Sequence, residues 1–323
     1  VPVDIAPAWF THGLSLTVDE GRVTVDGAEI AYLAWGDAAA PTMVLVHGGA
    51  AHAGWWQAIA PLLAEHHRVV AVDLSGHGDS DRREVYRAEL WAEEVLAAAS
   101  AGGSGQPPVV VGHSMGGFVT VVTAARHGAA LDGAILLDAP IRRPDPESRE
   151  GRGGRMFRAP KTYPDLETAV EHFHLVPPQP CDNGWLVDHV ARRSLHRTSD
   201  GWIWKFDPAV FTSREGPASA GEYGHVLAAA SCRIAIVNGA RSDVVDQDVR
   251  AYMAELLAGS PAAVAGIPFV EVPEAYHHLI LDQPVAVVTA IRAILATWRP
   301  VGEPPARVMP GATTQRPGTD LPG

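Results

Sequence analysis

Val109-Val110-Val111-Gly112-His113-Ser114-Met115-Gly116-Gly117 is the stretch that decides how this chain is read. An apolar, β-branched run ends in Gly-x-Ser-x-Gly, and Val119, Val121, Ala124 and Ala125 continue it as a helix. A serine at the tip of a sharp turn from strand to helix holds a strained backbone, so the residues two before and two after it must lack side chains. Gly112 and Gly116 meet that requirement. The helix that follows aims its N-terminal N–H groups at Ser114, where they favour developing negative charge. With 32 glycines in the chain the pattern alone can arise by chance. Its position after a Val-rich strand makes Ser114 a candidate nucleophile, which then needs a base, an orienting acid and an oxyanion site.

Upstream, Thr42-Met43-Val44-Leu45-Val46 is a continuous apolar run of the kind buried on both faces of a parallel sheet, and it runs into His47-Gly48-Gly49-Ala50-Ala51. A glycine pair at the end of a central strand lets backbone N–H groups approach a ligand, so this loop is a candidate for half an oxyanion hole. Before it, residues 11–34 alternate in two short runs, around Leu14–Val18 and Ala28–Leu33, and predict an antiparallel opening with turns at Glu20-Gly21 and Asp26-Gly27. After it come a helix over Trp55–Glu65 and a buried strand over Arg68–Val72. The polar loop Asp73-Leu74-Ser75-Gly76-His77-Gly78-Asp79-Ser80 follows, and its His77 reads as structural. A helix over 84–99 leads to the serine strand, and Ala134–Leu137 with Asp138 is the next buried strand. Strands and helices alternate, which predicts an α/β fold: an open, mostly parallel twisted sheet with helices on both faces.

The pattern breaks from 141 to 230, where Pro, Arg, His and Trp become frequent. An insertion of that size at a strand end predicts a helical cap over the catalytic face, with Trp185, His189, His196, Trp202, Trp204 and Phe206 mostly in its own core. Basic side chains crowd residues 142–161 and read as a solvated loop. The strand pattern resumes at Arg233–Asn238, followed by Gly239-Ala240-Arg241-Ser242-Asp243, where a carboxylate beyond the strand end can reach the ligand crevice. A helix over 247–257 and a strand over Ile267–Val272 lead to Glu274-Ala275-Tyr276-His277-His278. An amphipathic helix over 284–298 closes the core. The organisation expected is a core from 1–140 and 231–300, a cap from 141–230, and a Pro- and Gly-rich tail from 301–323 that reads as disordered.

Composition narrows the partners. A net charge of -12 argues against nucleic acid and anionic membrane surfaces. The start, Val1-Pro2-Val3-Asp4, carries no basic or apolar leader pattern, so a soluble, cytoplasmic protein acting on a small molecule is expected. Cys181 and Cys232 read as free thiols without metal-ligand spacing, and neither a metal nor a cofactor is implied.

Oxyanion loop, serine elbow, carboxylate and histidine thus occur in order, each after a buried strand. This resembles the α/β-hydrolase fold family over roughly residues 25–300. The resemblance implies that Ser114 attacks a substrate carbonyl, that His277 shuttles its proton, and that Asp243 orients the imidazole. It also implies that the backbone N–H groups of Gly49 and Met115 hold the oxyanion. Two alternatives stay open. Relatives commonly place the histidine seven positions before the proline of the last helix, which selects His277 over His278, although Tyr276 stands where they usually have Gly. Asp138 also follows a strand, where some relatives carry the acid. A serine rather than an aspartate nucleophile favours acyl chemistry, ester or lactone hydrolysis, over displacement at saturated carbon. C–C hydrolysis of diketones, acyl transfer or cyclisation, and ligand binding without turnover are the alternatives.

Overall fold

A computed structural model of the chain describes residues 5–144, 161–212, 214–215 and 220–298. The strands are β1 (Asp19–Val25), β2 (Ala28–Trp35), β3 (Thr42–Val46), β4 (Arg68–Val72), β5 (Tyr86–Arg87), β6 (Val109–His113), β7 (Gly133–Leu137), β8 (Leu195–Thr198), β9 (Gly201–Trp204), β10 (Arg214–Glu215), β11 (Ile234–Gly239) and β12 (Phe269–Val272). The helices are α1 (Ala8–Ser15), α2 (Ala60–Leu63), α3 (Ala88–Gly102), α4 (Met115–His127), α5 (Leu166–Glu171), α6 (Gly184–Arg193), α7 (Gly224–Ala228), α8 (Gln247–Ala258), α9 (Leu279–Asp282) and α10 (Pro284–Trp298).

Eight strands form one sheet in the order β1-β2-β4-β3-β6-β7-β11-β12. The first two join antiparallel, and every pair from β4 to β12 is parallel. Each of β3, β4, β6, β7 and β11 is buried along its whole length, because helices cover both faces. Successive side chains go to opposite sides, as the two-residue period of a strand requires. Val44, Val46, Val70, Val72, Val110 and Leu136 enter a core that includes residues of α3, α4, α7 and α8. Met43, Leu45, Val69, Ala71, Val111 and Leu137 enter the opposite core, which includes residues of α2, α9 and α10.

The opening differs from its expected form. Leu14 and Ser15 end a short helix instead of starting a strand, the hairpin begins at Asp19, and Glu20-Gly21, expected as a turn, lie within β1 paired to Leu33 and Tyr32. That helix forms because Trp9 and Phe10 find partners outside the sheet: Phe10 packs 4.5 Å from the Trp185 ring of α6. The turn at Asp26-Gly27 is as expected, with both residues at positive φ, 46° and 76°, the geometry of a two-residue hairpin. The helix expected over Trp55–Glu65 is divided into a 3-10 turn over Ala53–Trp56 and the short α2. Pro61 has no N–H to carry a helix through from the preceding turn.

Between β7 and β11 the chain adds α5, α6, the antiparallel β8–β9 hairpin and short 3-10 turns. Its aromatic residues pack mainly on one another and on the sheet domain. Trp204 lies 5.9 Å from Phe173 and 6.0 Å from Tyr163, and Phe173 lies 6.2 Å from Trp55. Most of the basic stretch from 142 to 161, and the tail from 301 to 323, lie outside the described residues.

Candidate active site

The elbow at Ser114 follows from its neighbours. Ser114 has φ 53° and ψ −118°, a conformation that L residues avoid. A Cβ on Gly112 would stand 2.2 Å from the Gly116 carbonyl oxygen, and one on Gly116 would stand 2.3 Å from the Val46 oxygen. Glycine at both places therefore lets α4 leave β6 tightly enough to push the serine out, and Ser114 stays partly exposed while its neighbours are buried. The turn is pinned by the Ser114 N–H, which donates to the Leu137 carbonyl at 3.0 Å.

The Ser114 hydroxyl donates to His277 Nε2 at 3.0 Å, and His277 Nδ1–H donates to Asp138 Oδ2 at 2.7 Å. This pairing fixes the tautomer, since a carboxylate can only accept. Asp138 is fully buried at the end of β7, itself at positive φ of 47°. Its Oδ1 accepts the Gly239 N–H at 3.0 Å, and its Oδ2 also accepts the Ser242 hydroxyl at 2.7 Å. The carboxylate expected in this place, Asp243, is exposed and does not reach the histidine. The reason is the turn at Ser242, whose Oγ accepts the N–H groups of Val244 and Val245 at 3.1 and 3.2 Å. That turn sends Ser242 inward to Asp138 and Asp243 outward to solvent. Asp138 holds the position that the sequence left as the second choice.

Between the two histidines, His277 is the one that meets Ser114. His278 is equally buried but turns its ring toward Trp55 and His113, at 5.7 and 5.6 Å. Burial, together with the neighbouring His277, pushes its pKa down to about 3, so this ring is neutral. The His277 carbonyl accepts from His113 Nε2–H at 2.9 Å. His113 fills the variable place before the serine, and nothing in the motif signals that role.

The loop expected to hold an oxyanion, His47–Ala51, is braced by the His47 ring. Its Nε2 accepts the Leu74 N–H at 3.1 Å, so the proton sits on Nδ1, which donates to the Gly48 carbonyl at 2.7 Å. Burial lowers the His47 pKa to about 4 and keeps the ring neutral. In a trans peptide the next N–H points opposite to the carbonyl, so the Gly49 N–H faces away from His47. A Cβ built on Gly49 would lie 3.7 Å from Met115 Sδ and 3.1 Å from the Phe211 ring, which places the loop beside the start of α4. Met115 opens α4, where backbone N–H groups have no acceptor within the helix. Among the described residues neither the Gly49 nor the Met115 N–H finds an acceptor. Asp73 ties this loop to the next, accepting the Ala53 and Asp79 N–H groups at 2.6 and 2.8 Å. His77 is buried, its ring 4.8 Å from that of His47.

Among the described residues, the one grouping of metal-type ligands is His113, His277 and His278, whose nitrogens lie within 4.8 Å of one another. His277 already uses both nitrogens on Asp138 and Ser114, and His113 uses Nε2 on the His277 carbonyl. An ion there would have to break the hydrogen-bonded chain that the fold builds.

The profile of the alpha/beta hydrolase family matches residues 43–290, from β3 into α10. The chain belongs to the alpha/beta hydrolase family. Among the hydrolases it resembles is an esterase of Mycobacterium tuberculosis (strain ATCC 25618 / H37Rv), 29% identical over 280 residues, which cover 84% of this chain and 88% of the relative. Protein phosphatase methylesterase 1 of Mus musculus is 31% identical over 138 residues, 41% of this chain and 36% of that protein. Of solved structures, E-2-(acetamidomethylene)succinate hydrolase superposes with a TM-score of 0.73 at 20% identity, covering 87% of this chain and all of that one. At that identity the likeness speaks for the fold. Among the described residues no helix of this hydrolase is long and apolar enough to cross a membrane.

Proposed function

We propose that this hydrolase is a serine esterase that opens a carboxylic ester or lactone through an acyl-enzyme. The observation that carries the reading is the unbroken chain Ser114–His277–Asp138, with spacings of 3.0 and 2.7 Å. Ser114 Oγ adds to the substrate carbonyl as its proton passes to His277 Nε2. The imidazolium so formed is stabilised by Asp138, and the oxyanion by the N–H groups of Gly49 and Met115. Each oxyanion donor of this kind is worth about 3 kcal/mol in the transition state. His277 then protonates the departing alcohol, and water activated by the same nitrogen releases the acid and regenerates the serine. These steps draw on the chain's own groups, the substrate and water. The esterase and methylesterase names of the relatives fit ester chemistry.

The segment from 141 to 230 acts as the cap that selects the substrate. Phe211 brings an aromatic edge to Gly49, which favours an apolar group on the small molecule cleaved. The test is a hydrolysis screen over p-nitrophenyl acyl esters, lactones and diketones with Ser114→Ala as the blank. Ester or lactone turnover that vanishes in the variant supports the reading. Turnover confined to diketones moves it to C–C hydrolysis, and turnover that survives the substitution overturns it.

A further inference from the structure

Three consecutive backbone groups around His277 are each held by a side chain from a different part of the chain. The Tyr276 N–H donates to Asp282 Oδ2 at 2.9 Å, and the His277 carbonyl accepts from His113 at 2.9 Å. The His278 N–H donates to Gln179 Oε1 at 2.7 Å. Gln179 is the one of the three that comes from the inserted segment. Its amide nitrogen also donates to both carboxylate oxygens of Asp282, each at 2.8 Å. A single side chain thus grips the loop directly at His278 and indirectly, through Asp282, at Tyr276. Four residues further along the chain, Asn183 Nδ2 donates to the Leu281 and Asp282 carbonyls at 2.7 and 3.0 Å.

The local sequence suits this work. Gln179 lies within Val176-Pro177-Pro178-Gln179-Pro180, where three prolines fix φ and restrict the backbone before docking. Leu175, just ahead, is buried in the core cluster that α9 and α10 share. The strap therefore arrives with little conformational freedom left to lose, and its polar tip meets the histidine loop where that loop would otherwise leave a backbone donor unpaired. Hydrogen bonds to an ionised carboxylate are the stronger kind, so the Gln179–Asp282 contact is the firm half of the clamp.

We propose that Gln179 is a positioning residue: by clamping the His278 N–H and the Asp282 carboxylate it sets the His277 imidazole on Ser114, so that docking of the inserted segment makes the site competent. The proposal rests on the serine-esterase reading of the site. A displacement of about 1 Å at the base is enough to cost a large rate factor, which is why a residue that never touches substrate can control turnover.

The test compares Gln179→Ala, Gln179→Glu and wild type in kinetics and in hydrogen exchange. Gln179→Ala should lose about tenfold in kcat with KM nearly unchanged, the pattern of a lost transition-state alignment. Gln179→Glu separates positioning from simple packing. Protonated, the introduced carboxyl can donate to Asp282 and accept from His278. Ionised, it sets a second negative charge against Asp282, and like charges at that distance raise one of the two pKa values strongly. Burial already holds the Asp282 carboxyl above its ordinary range. Activity of Gln179→Glu should therefore fall as rising pH ionises the pair, a descending limb absent from wild type and from Gln179→Ala.

Amide exchange at Tyr276 and His278 should quicken in Gln179→Ala whatever the substrate, so the clamp can be judged even if Ser114 proves unreactive. In that case the esterase reading fails by itself. A kcat within twofold of wild type in Gln179→Ala, or unchanged exchange at both amides, overturns the clamp.

Discussion

Asp138 Oδ2 lies 2.7 Å from His277 Nδ1, and Asp138 ends the strand directly beside the one that carries Ser114. The acid thus approaches from β7, and Ser242 in the loop after β11 supports it from the far side. A carboxylate after β7 thus meets the histidine, and the loop after β11, where the resemblance implied the acid, supplies a hydroxyl. Asp138→Asn should keep the fold but favour the wrong imidazole tautomer, lowering kcat by about 10⁴-fold. Asp243→Asn should leave turnover near wild type. Steady-state kinetics of the two variants side by side check this, and the reverse ranking would return the role to Asp243.

The two adjacent histidines should separate by function. His277→Ala removes the base and should reduce kcat to the level of Ser114→Ala, because groups that act as one unit fail together. His278→Ala leaves the chain from Ser114 to Asp138 in place and should retain most of the turnover. Its cost is in stability, about 1–3 kcal/mol for a truncated buried ring, and is read as a lowered midpoint in urea unfolding.

His47 offers a test of the oxyanion loop that leaves the hydrogen-bonded chain untouched. Replacing His47 with Leu removes both the donor to the Gly48 carbonyl and the acceptor for the Leu74 N–H. The Gly49 N–H then loses its fixed aim. Loss of one oxyanion donor costs about 10²–10³ in kcat, and a misdirected one should cost up to that amount with KM little altered. An unchanged kcat would show that Gly49 does not carry the oxyanion.

Acid should unfold this protein early. His47 and His278 have folded pKa values near 4 and 3, and burial also holds His52, His77 and His113 well below 6.5. Between those values and 6.5 the unfolded chain binds protons that the folded chain refuses, so stability is complete above pH 6.5 and falls as pH drops below it. For His47 alone the difference corresponds to about 3 kcal/mol. Asp73, raised to about 6 by burial, acts in the opposite sense, favouring the folded state as it takes up its proton. Glu94 and Asp282 are also raised by burial, and His189 and His196 are also lowered by it, so three carboxyls stand against seven imidazoles and the melting temperature should fall from pH 7 to 5. Calorimetry across that range reads it, and a flat profile would contradict the burial assigned to these rings.

Much of the fold was legible because the parallel strands announce themselves. Thr42–Val46, Arg68–Val72 and Val109–His113 are continuous apolar runs, and such runs are stable only between two helical layers. Ser114 and His277 were legible for a related reason, since each follows a strand end and has local chemistry that marks it. The resemblance places the acid at Asp243, with Asp138 the alternative, because both follow a buried strand and local spacing does not separate them; the histidine pairs with Asp138. What separates them is a side-chain turn at Ser242, which depends on two backbone N–H groups and the Asp138 carboxylate meeting its hydroxyl in space. The helix at Ala8–Ser15 was hidden likewise: its reason for forming is Trp185, far along the chain. Gln179 carries no motif at all and acquires its role only when the inserted segment reaches Asp282.

Intact-mass and peptide analysis after exposure to a fluorophosphonate addresses the nucleophile most directly. The expected result is one adduct per chain, carried on the peptide containing Ser114, formed quickly in wild type, slowly in His277→Ala and Asp138→Asn, and not in Ser114→Ala. An adduct on another residue, or none at a fully folded wild-type protein, would contradict the assignment of Ser114 as a nucleophile activated by His277 and Asp138.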